Sequence, residues 1–245
     1  MKNLRLFLSA VLPFFILCGS YAGNTRAITL GIVVPAQSEP FSEKEGAYIA
    51  EKLIRMASAN GIEVSNDFSR FFIAARLVAT PVDFVVGPPS QITQEVAMTL
   101  YIADYFEHKV LASVVVNAEG VGADEGKSVL DALQNMPDTL PVLQDFFENG
   151  LRGVLYYYSN QGDRIIQQAR VLAAQNRYEE ALFHLTAFPE QAGRVYDRAQ
   201  QAASQIFQQY TDYKGAENVS GSTARTVGEA YGKSQQPDVF MKWLR

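Results

Sequence analysis

The sequence predicts an α+β fold: an N-terminal mixed or antiparallel sheet with two helices, followed by a C-terminal helical bundle. Three patterns carry this. In residues 96–103 and 110–117 apolar side chains recur at every second position, between a mixed set that includes Thr99, Tyr101, Ser113 and Asn117, and a short polar turn joins the two runs, as in a hairpin. Helical spacing of apolar residues appears before the hairpin, at 42–60, and directly after it, at 124–136. Beyond Pro137 strand-like runs vanish while helical stripes continue. This is strands followed by helices, unlike the regular strand–helix alternation of a parallel α/β sheet.

The chain opens with Lys2 and Arg5, an apolar run from Leu6 to Leu17, and Ser20-Tyr21-Ala22. A basic lead, a short apolar stretch and a small-x-small site predict a signal peptide, residues 1–22, cleaved after Ala22. The run is too short to span a bilayer, which takes about 20 apolar residues. Cys18 follows Leu17, where a lipoprotein leader carries Gly, Ala or Ser, which argues against acylation there. A periplasmic or cell-surface location follows.

An α+β domain is expected over 23–136. The run ITLGIVVP, 28–35, is rich in β-branched residues and closed by proline, so it reads as a buried strand. Ser42 with Glu45 resembles a capping box, and the helix it opens carries Ala47, Ile49, Ala50, Leu53, Ile54 and Ala57 until Asn60-Gly61 stops it. FFIAARLVAT and DFVVG are the next strands. The hairpin then places Val96, Met98, Leu100 and Ile102 beside Val110, Ala112, Val114 and Val116, with Glu107-His108-Lys109 at the turn. Gly120 and Gly122 are expected to release the chain into a helix from Asp124 to Met136, with Val129, Ala132, Leu133 and Met136 inward.

A helical domain is expected over 137–213. Asp138 is a candidate cap for a helix carrying Leu140, Leu143, Phe147, Leu151, Val154, Leu155 and Tyr158, weakened by Gly150 and Gly153. A second helix runs from Asp163 to about Gln175. After a turn at Asn176-Arg177, a short third helix carries Tyr178, Ala181, Leu182 and Leu185 and ends at Pro189. A fourth extends to about Tyr213. Residues 214–245 are polar and glycine-rich and predict a flexible tail, with a helical turn near 224–231 and an apolar end at Val239, Phe240, Met241, Trp243 and Leu244.

Charge and composition restrict the function classes. The net charge of −5 becomes −7 once Lys2 and Arg5 leave with the leader, and no Lys/Arg cluster exists, so nucleic acid and anionic membranes are poor partners. Without cysteine after processing, the body must be held by burial, which 48% hydrophobic residues with 15 Phe and 12 Tyr can supply.

No catalytic, metal or cofactor site is expected. The two histidines, His108 and His184, sit in different halves, and a metal would need both with a carboxylate. A Ser-based nucleophile motif is absent. Gly120-Val121-Gly122 before a helix resembles part of a phosphate loop, but Glu125 stands where the third glycine belongs, and Asp124 and Glu125 repel anions. Asp104, Glu119, Asp124 and Glu125 lack the spacing of a calcium loop. Three consecutive tyrosines, Tyr156 to Tyr158, cannot share one helix face, so at least one lies at the surface or against another element. Tyr156, Tyr157, Tyr178 and Trp243 are the candidate aromatic anchors for a partner.

Two stretches carry resemblances. LAAQNRYEEALFHLTAFP, 172–189, with Asn176 at the turn, Tyr178, Ala181 at the helix contact and Pro189 at the end, resembles one helical hairpin of a tetratricopeptide repeat. The hairpin LYIADYFEHKVLASVVVNAEGVG, 100–122, followed by DEGKSVLDAL, is similar to the exported domains of the curli-secretion and penicillin-binding-protein-activator lipoproteins. Through that hairpin, YYYSNQGDRIIQQA from Tyr156 and AYGKSQQPDVFMKWLR from Ala230, the chain also resembles uncharacterised exported proteins of Bacteroidetes and their mobile elements. These resemblances imply export and architecture. With two interaction-type modules, the expectation is a non-enzymatic envelope factor that meets an envelope protein through a sheet edge or the hairpin's exposed face. The alternatives are a glycan-directed hydrolase with paired carboxylates and a phage- or mobile-element structural protein.

Overall fold

The computed structural model describes residues 28–34, 43–65, 69–85, 87 and 89–234; the leader, Ser42 and the apolar end with Trp243 lie outside these residues. Elements follow in the order β1 (Thr29–Val33), α1 (Glu43–Ala59), β2 (Glu63–Ser65), β3 (Phe71–Ala79), β4 (Asp83–Val85), β5 (Gln91–Asp104), β6 (Lys109–Gly122), α2 (Glu125–Asn135), α3 (Pro141–Ala174), α4 (Tyr178–Thr186), α5 (Arg194–Lys214) and α6 (Ala224–Ser234). The fold is α+β, with strands in the N-terminal half and the long helices in the C-terminal half.

Among the described residues six strands form one mixed sheet. β1 is parallel to β2 and β3, whereas β3, β4 and β6 are all antiparallel to β5. Since β6 pairs along the whole of β5, β3 and β4 share the opposite edge of β5 one after the other. The registers Ile73↔Ile102, Ala75↔Leu100 and Leu77↔Met98 continue into Ile102↔Ala112, Leu100↔Val114 and Met98↔Val116. One face of the sheet is therefore apolar row by row, as the period-two pattern predicts, and it carries the helices. The other face leaves Val78 and Val115 about half exposed.

Gly120 and Gly122 are strand residues, not a loop. Cβ atoms there would stand 2.0 Å from Ser128 O and 2.3 Å from Ser128 N, so the two hydrogens let α2 lie directly on β6. Asp124 caps α2, its side chain accepting from Lys127 N at 2.9 Å. Asp104 lies at the opposite end of the hairpin from Glu119, Asp124 and Glu125.

The two helices expected on either side of residue 160 are one helix, α3, of 34 residues and about 50 Å. Its glycines are contact points, not breaks. A Cβ at Gly150 would fall 2.2 Å from Ile102 Cδ1, and one at Gly162 would fall 2.1 Å from Val195 Cγ1. The first half of α3 crosses the sheet and the second packs on α4 and α5, so a single cluster of buried side chains runs from Leu30 through Phe147 and Ile166 to Val227. Asp138 does not cap this helix. Pro141 starts it, and the Asp138 carboxylate instead meets Lys52 at 2.6 Å and Arg55 at 3.6 Å.

The expected tail from Lys214 is folded at least to Ser234. After Gly215 a short 3-10 turn leads into α6, which lies on α4 with Val227, Gly228 and Gly232 buried. Gly228 comes so close that a Cβ would be 2.9 Å from Phe183 N. Backbone-to-backbone packing of this kind buries area with few large side chains, which is why composition pointed to disorder.

Candidate functional site

The site lies where the β5–β6 turn and the start of β3 meet the middle of α3. Phe71 is paired with Asp104, so Arg70, one step earlier, emerges beside the last residue of β5. Tyr105 N donates to Arg70 O at 2.9 Å, extending the ladder by one bond. The Asp104 carboxylate then does two things. Oδ1 accepts from Phe106 N at 2.9 Å and Glu107 N at 3.2 Å, closing the turn, while Oδ2 accepts from Arg70 Nε at 3.1 Å and Nη2 at 2.9 Å. Both side chains are nearly inaccessible, at 4% and 1% exposed. His108 completes the tight turn with φ of 50°, a value most side chains avoid.

From above, α3 contributes Tyr157 and Tyr158, whose rings meet Phe71 edge-on at 5.9 and 5.7 Å. The Arg70 guanidinium stands 4.5 Å from the Tyr157 ring centre and 5.5 Å from that of Phe106, and its Nη2 donates to the Tyr157 oxygen. The Tyr157 hydroxyl donates in turn to Glu107 Oε1 at 3.2 Å, and Arg164 Nη2 donates to the same oxygen at 3.0 Å. Two guanidinium groups and two carboxylates thus form one network.

The ionisation of these groups follows from their surroundings. Hydrogen bonding from Arg164 holds the Glu107 carboxyl below the usual carboxylate range; partial burial opposes this, and Tyr157 and Arg70 reinforce it. Burial works against the charge of Arg70, but Tyr158, Asp104 and Tyr157 raise its pKa further still. Burial pushes the Tyr157 phenol up to about 12, with Arg70 opposing. His184 on α4, its ring 4.9 Å from that of Phe106, is pushed down to about 4 by burial, then by Arg70 and Arg177, and is neutral at pH 7.

Over this network opens a cavity of about 610 Å³. Its floor is Arg70, Tyr157 and Phe106; its walls come from His184 and from an α3 stripe that includes Gln168 and Leu172. Residues 157, 164, 168, 171 and 175 are three, four or seven apart, so one helix face supplies aromatic, cationic, amide and aliphatic groups. The cavity's charges balance internally, and its side-chain amides can both donate and accept.

Of the four expected anchors, Tyr157 alone belongs to this site. Tyr156 is 72% exposed on another face of α3, and Tyr158 is fully buried, so the three tyrosines split three ways. Tyr178 packs instead against Tyr213 and Tyr210 of α5, at 5.4 and 6.1 Å, and its hydroxyl donates to Asn176 Oδ1. Trp243 lies outside the described residues. Sequence patterns place Glu107 only in a turn, give Arg70 and Arg164 no role, and offer Asp104 only as a calcium candidate. A signal existed: Arg70 stands directly before the apolar FFIAA, and Asp104 directly after YIA. Among the described residues, no helix is long and apolar enough to cross a membrane.

No family model matches the chain, and no curated protein matches it. Among solved structures it is similar to a minor lipoprotein from Acinetobacter baumannii, at 14% identity and a TM-score of 0.31, over 51% of this chain and 94% of that one.

Proposed function

We propose that this is a non-enzymatic binding protein of the bacterial cell envelope, and that it holds a segment of a partner polypeptide in the cavity between the β5–β6 turn and α3. The carrying observation is the buried Arg70–Asp104 pair that fixes Tyr157 and the turn at the floor of an open cavity with apolar and amide walls. A site built of rigid, mutually satisfied groups beneath bifunctional amides suits recognition of peptide groups. The leader-like start of the sequence supports the envelope location.

The hydrolase reading needs one carboxyl held protonated and a second free to act as base. Glu107 is instead held ionised by Arg164, and Asp104 is enclosed between Arg70 and the turn amides. These pairings favour binding over acid–base work.

Photocrosslinking tests the proposal. With a benzophenone amino acid at Gln168 in the native host, one discrete adduct is expected; the same group at Asn117, on the far face of the sheet, should give none. Val171→Trp, which fills the cavity, should remove the Gln168 adduct while the thermal melt stays within a few degrees. Equal labelling from both positions would overturn the proposal.

A further inference from the structure

The Glu107 carboxylate is held by groups from two rigid elements. Arg164 Nη2 lies 3.0 Å away, the Tyr157 hydroxyl 3.2 Å and Arg70 Nη2 3.9 Å. Two of the three donors, Arg70 and Tyr157, are fixed more firmly than the acceptor, whereas Arg164 is about as exposed as Glu107. Arg70 is pinned by Asp104, and the Tyr157 ring by Phe71 and Tyr158. Glu107 projects from a tight turn, is 43% exposed, and its backbone N–H is bonded separately to Asp104 Oδ1. Its side chain can therefore rotate away into water with the turn unchanged. What stays behind is a set of carboxylate donors facing the cavity: Arg164 Nη2, the Tyr157 phenol and the charge of Arg70.

We infer that Arg70, Tyr157 and Arg164 form a carboxylate subsite that Glu107 fills in the free protein and that an acidic side chain of the partner polypeptide takes over on binding. The inference rests on the polypeptide-binding reading above and adds the chemistry of its anchor. Exchange of one carboxylate for another leaves the charge of the subsite the same in the free and bound states, and Arg70 keeps Asp104 throughout. Binding free energy then comes from the rest of the cavity, where Gln168 can pair with main-chain groups beside the acidic residue and Leu172 and Phe106 cover apolar atoms. Glu107 acts as an internal competitor, reducing apparent affinity by the fraction of time it is docked.

The test uses the full chain and two probes, the blocked tripeptides Ac-Ala-Glu-Ala-NH2 and Ac-Ala-Gln-Ala-NH2, titrated by NMR on the arginine and tyrosine side-chain signals. Glu107→Ala should bind the glutamate peptide about tenfold more tightly than the natural chain, corresponding to a docked competitor present roughly nine-tenths of the time. Adding Arg164→Ala should remove that gain, and the glutamine peptide should respond to neither change. The inference is overturned if Glu107→Ala brings no gain, if it binds neither peptide, or if the glutamine peptide gains equally. Glutarate gaining as much as the peptide would overturn the polypeptide source. A Gln168 adduct that forms while Glu107→Ala gains nothing sinks the exchange and spares the binding reading; failure of any Gln168 adduct to form in the chain that keeps Val171 sinks that reading separately.

Discussion

Arg70 and Asp104 form a fork-to-carboxylate pair of three hydrogen bonds, 2.9 to 3.2 Å long, between the residue before one strand and the last residue of its antiparallel neighbour. The pair is a hinge point for everything above it. The same carboxylate closes the β5–β6 turn, and the same guanidinium seats Tyr157. Sheet, turn and long helix therefore share one buried electrostatic contact.

Removing one half of such a pair strands the other. Asp104→Ala should cost about 3 to 5 kcal/mol in urea unfolding, because Arg70 keeps its charge while losing its one buried carboxylate among the described residues, with only the partly exposed Glu107 left nearby. Arg70→Met should cost a similar amount. In the double variant the costs should fall well short of their sum, since no stranded charge remains; strict additivity would show that the two residues do not act as a pair.

How far this was readable beforehand depended on the range of the contact. Alternation in 96–103 and 110–117 identified the hairpin, because strand period and side-chain burial are properties of neighbours in sequence. The start of α2 at Asp124 and the Pro189 stop of α4 were equally local. The continuity of α3 was hidden because Gly150 and Gly153 look like weak helix positions until Ile102 and Leu111 are seen against them. The site was hidden for the same reason: Arg70 and Tyr157 are 87 positions apart, and their residue types form no motif. Only charged residues bracketing two apolar strands hinted at it.

Glycine contacts should be ranked by what they touch. A Cβ at Gly120 would meet backbone, 2.0 Å from Ser128 O and 2.3 Å from Ala132 N, whereas one at Gly150 meets the tip of the Ile102 side chain. Gly120→Ala should therefore exceed the ~1 to 3 kcal/mol usual for overpacking, and Gly150→Ala should fall within it as Ile102 changes rotamer. Chemical denaturation of both variants decides; a reversed order would show that α2 can lift from β6 without loss.

Tyr158 offers the opposite case. It is wholly buried, and its hydroxyl has no hydrogen-bond partner among the described residues. Tyr158→Phe removes an unsatisfied polar group and keeps the ring contacts with Phe71 and Phe188, so stability should stay level or rise by up to about 1 kcal/mol. Tyr158→Ala should cost about 3 to 5 kcal/mol through the cavity it leaves. A loss of more than ~1 kcal/mol for Tyr158→Phe would reveal a partner for the hydroxyl.

Acid should loosen the wall of the cavity before it reaches the floor. His184 titrates near 4 in the fold because burial, Arg70 and Arg177 disfavour its cation, whereas in the unfolded chain it titrates near 6.5. Between those values the unfolded state binds the extra proton, so the contribution of neutral His184 is complete above pH 6.5 and drains away as pH falls toward 4, by about 3 kcal/mol in all. Glu107, whose pKa is lowered, adds its loss only below the ordinary carboxylate range. Urea midpoints from pH 7 to pH 4.5 should thus fall in the natural chain, and His184→Phe should flatten that segment while leaving the steeper decline at lower pH. An unchanged slope in the variant would mean that the imidazole is solvated and that the cavity wall at α4 is open.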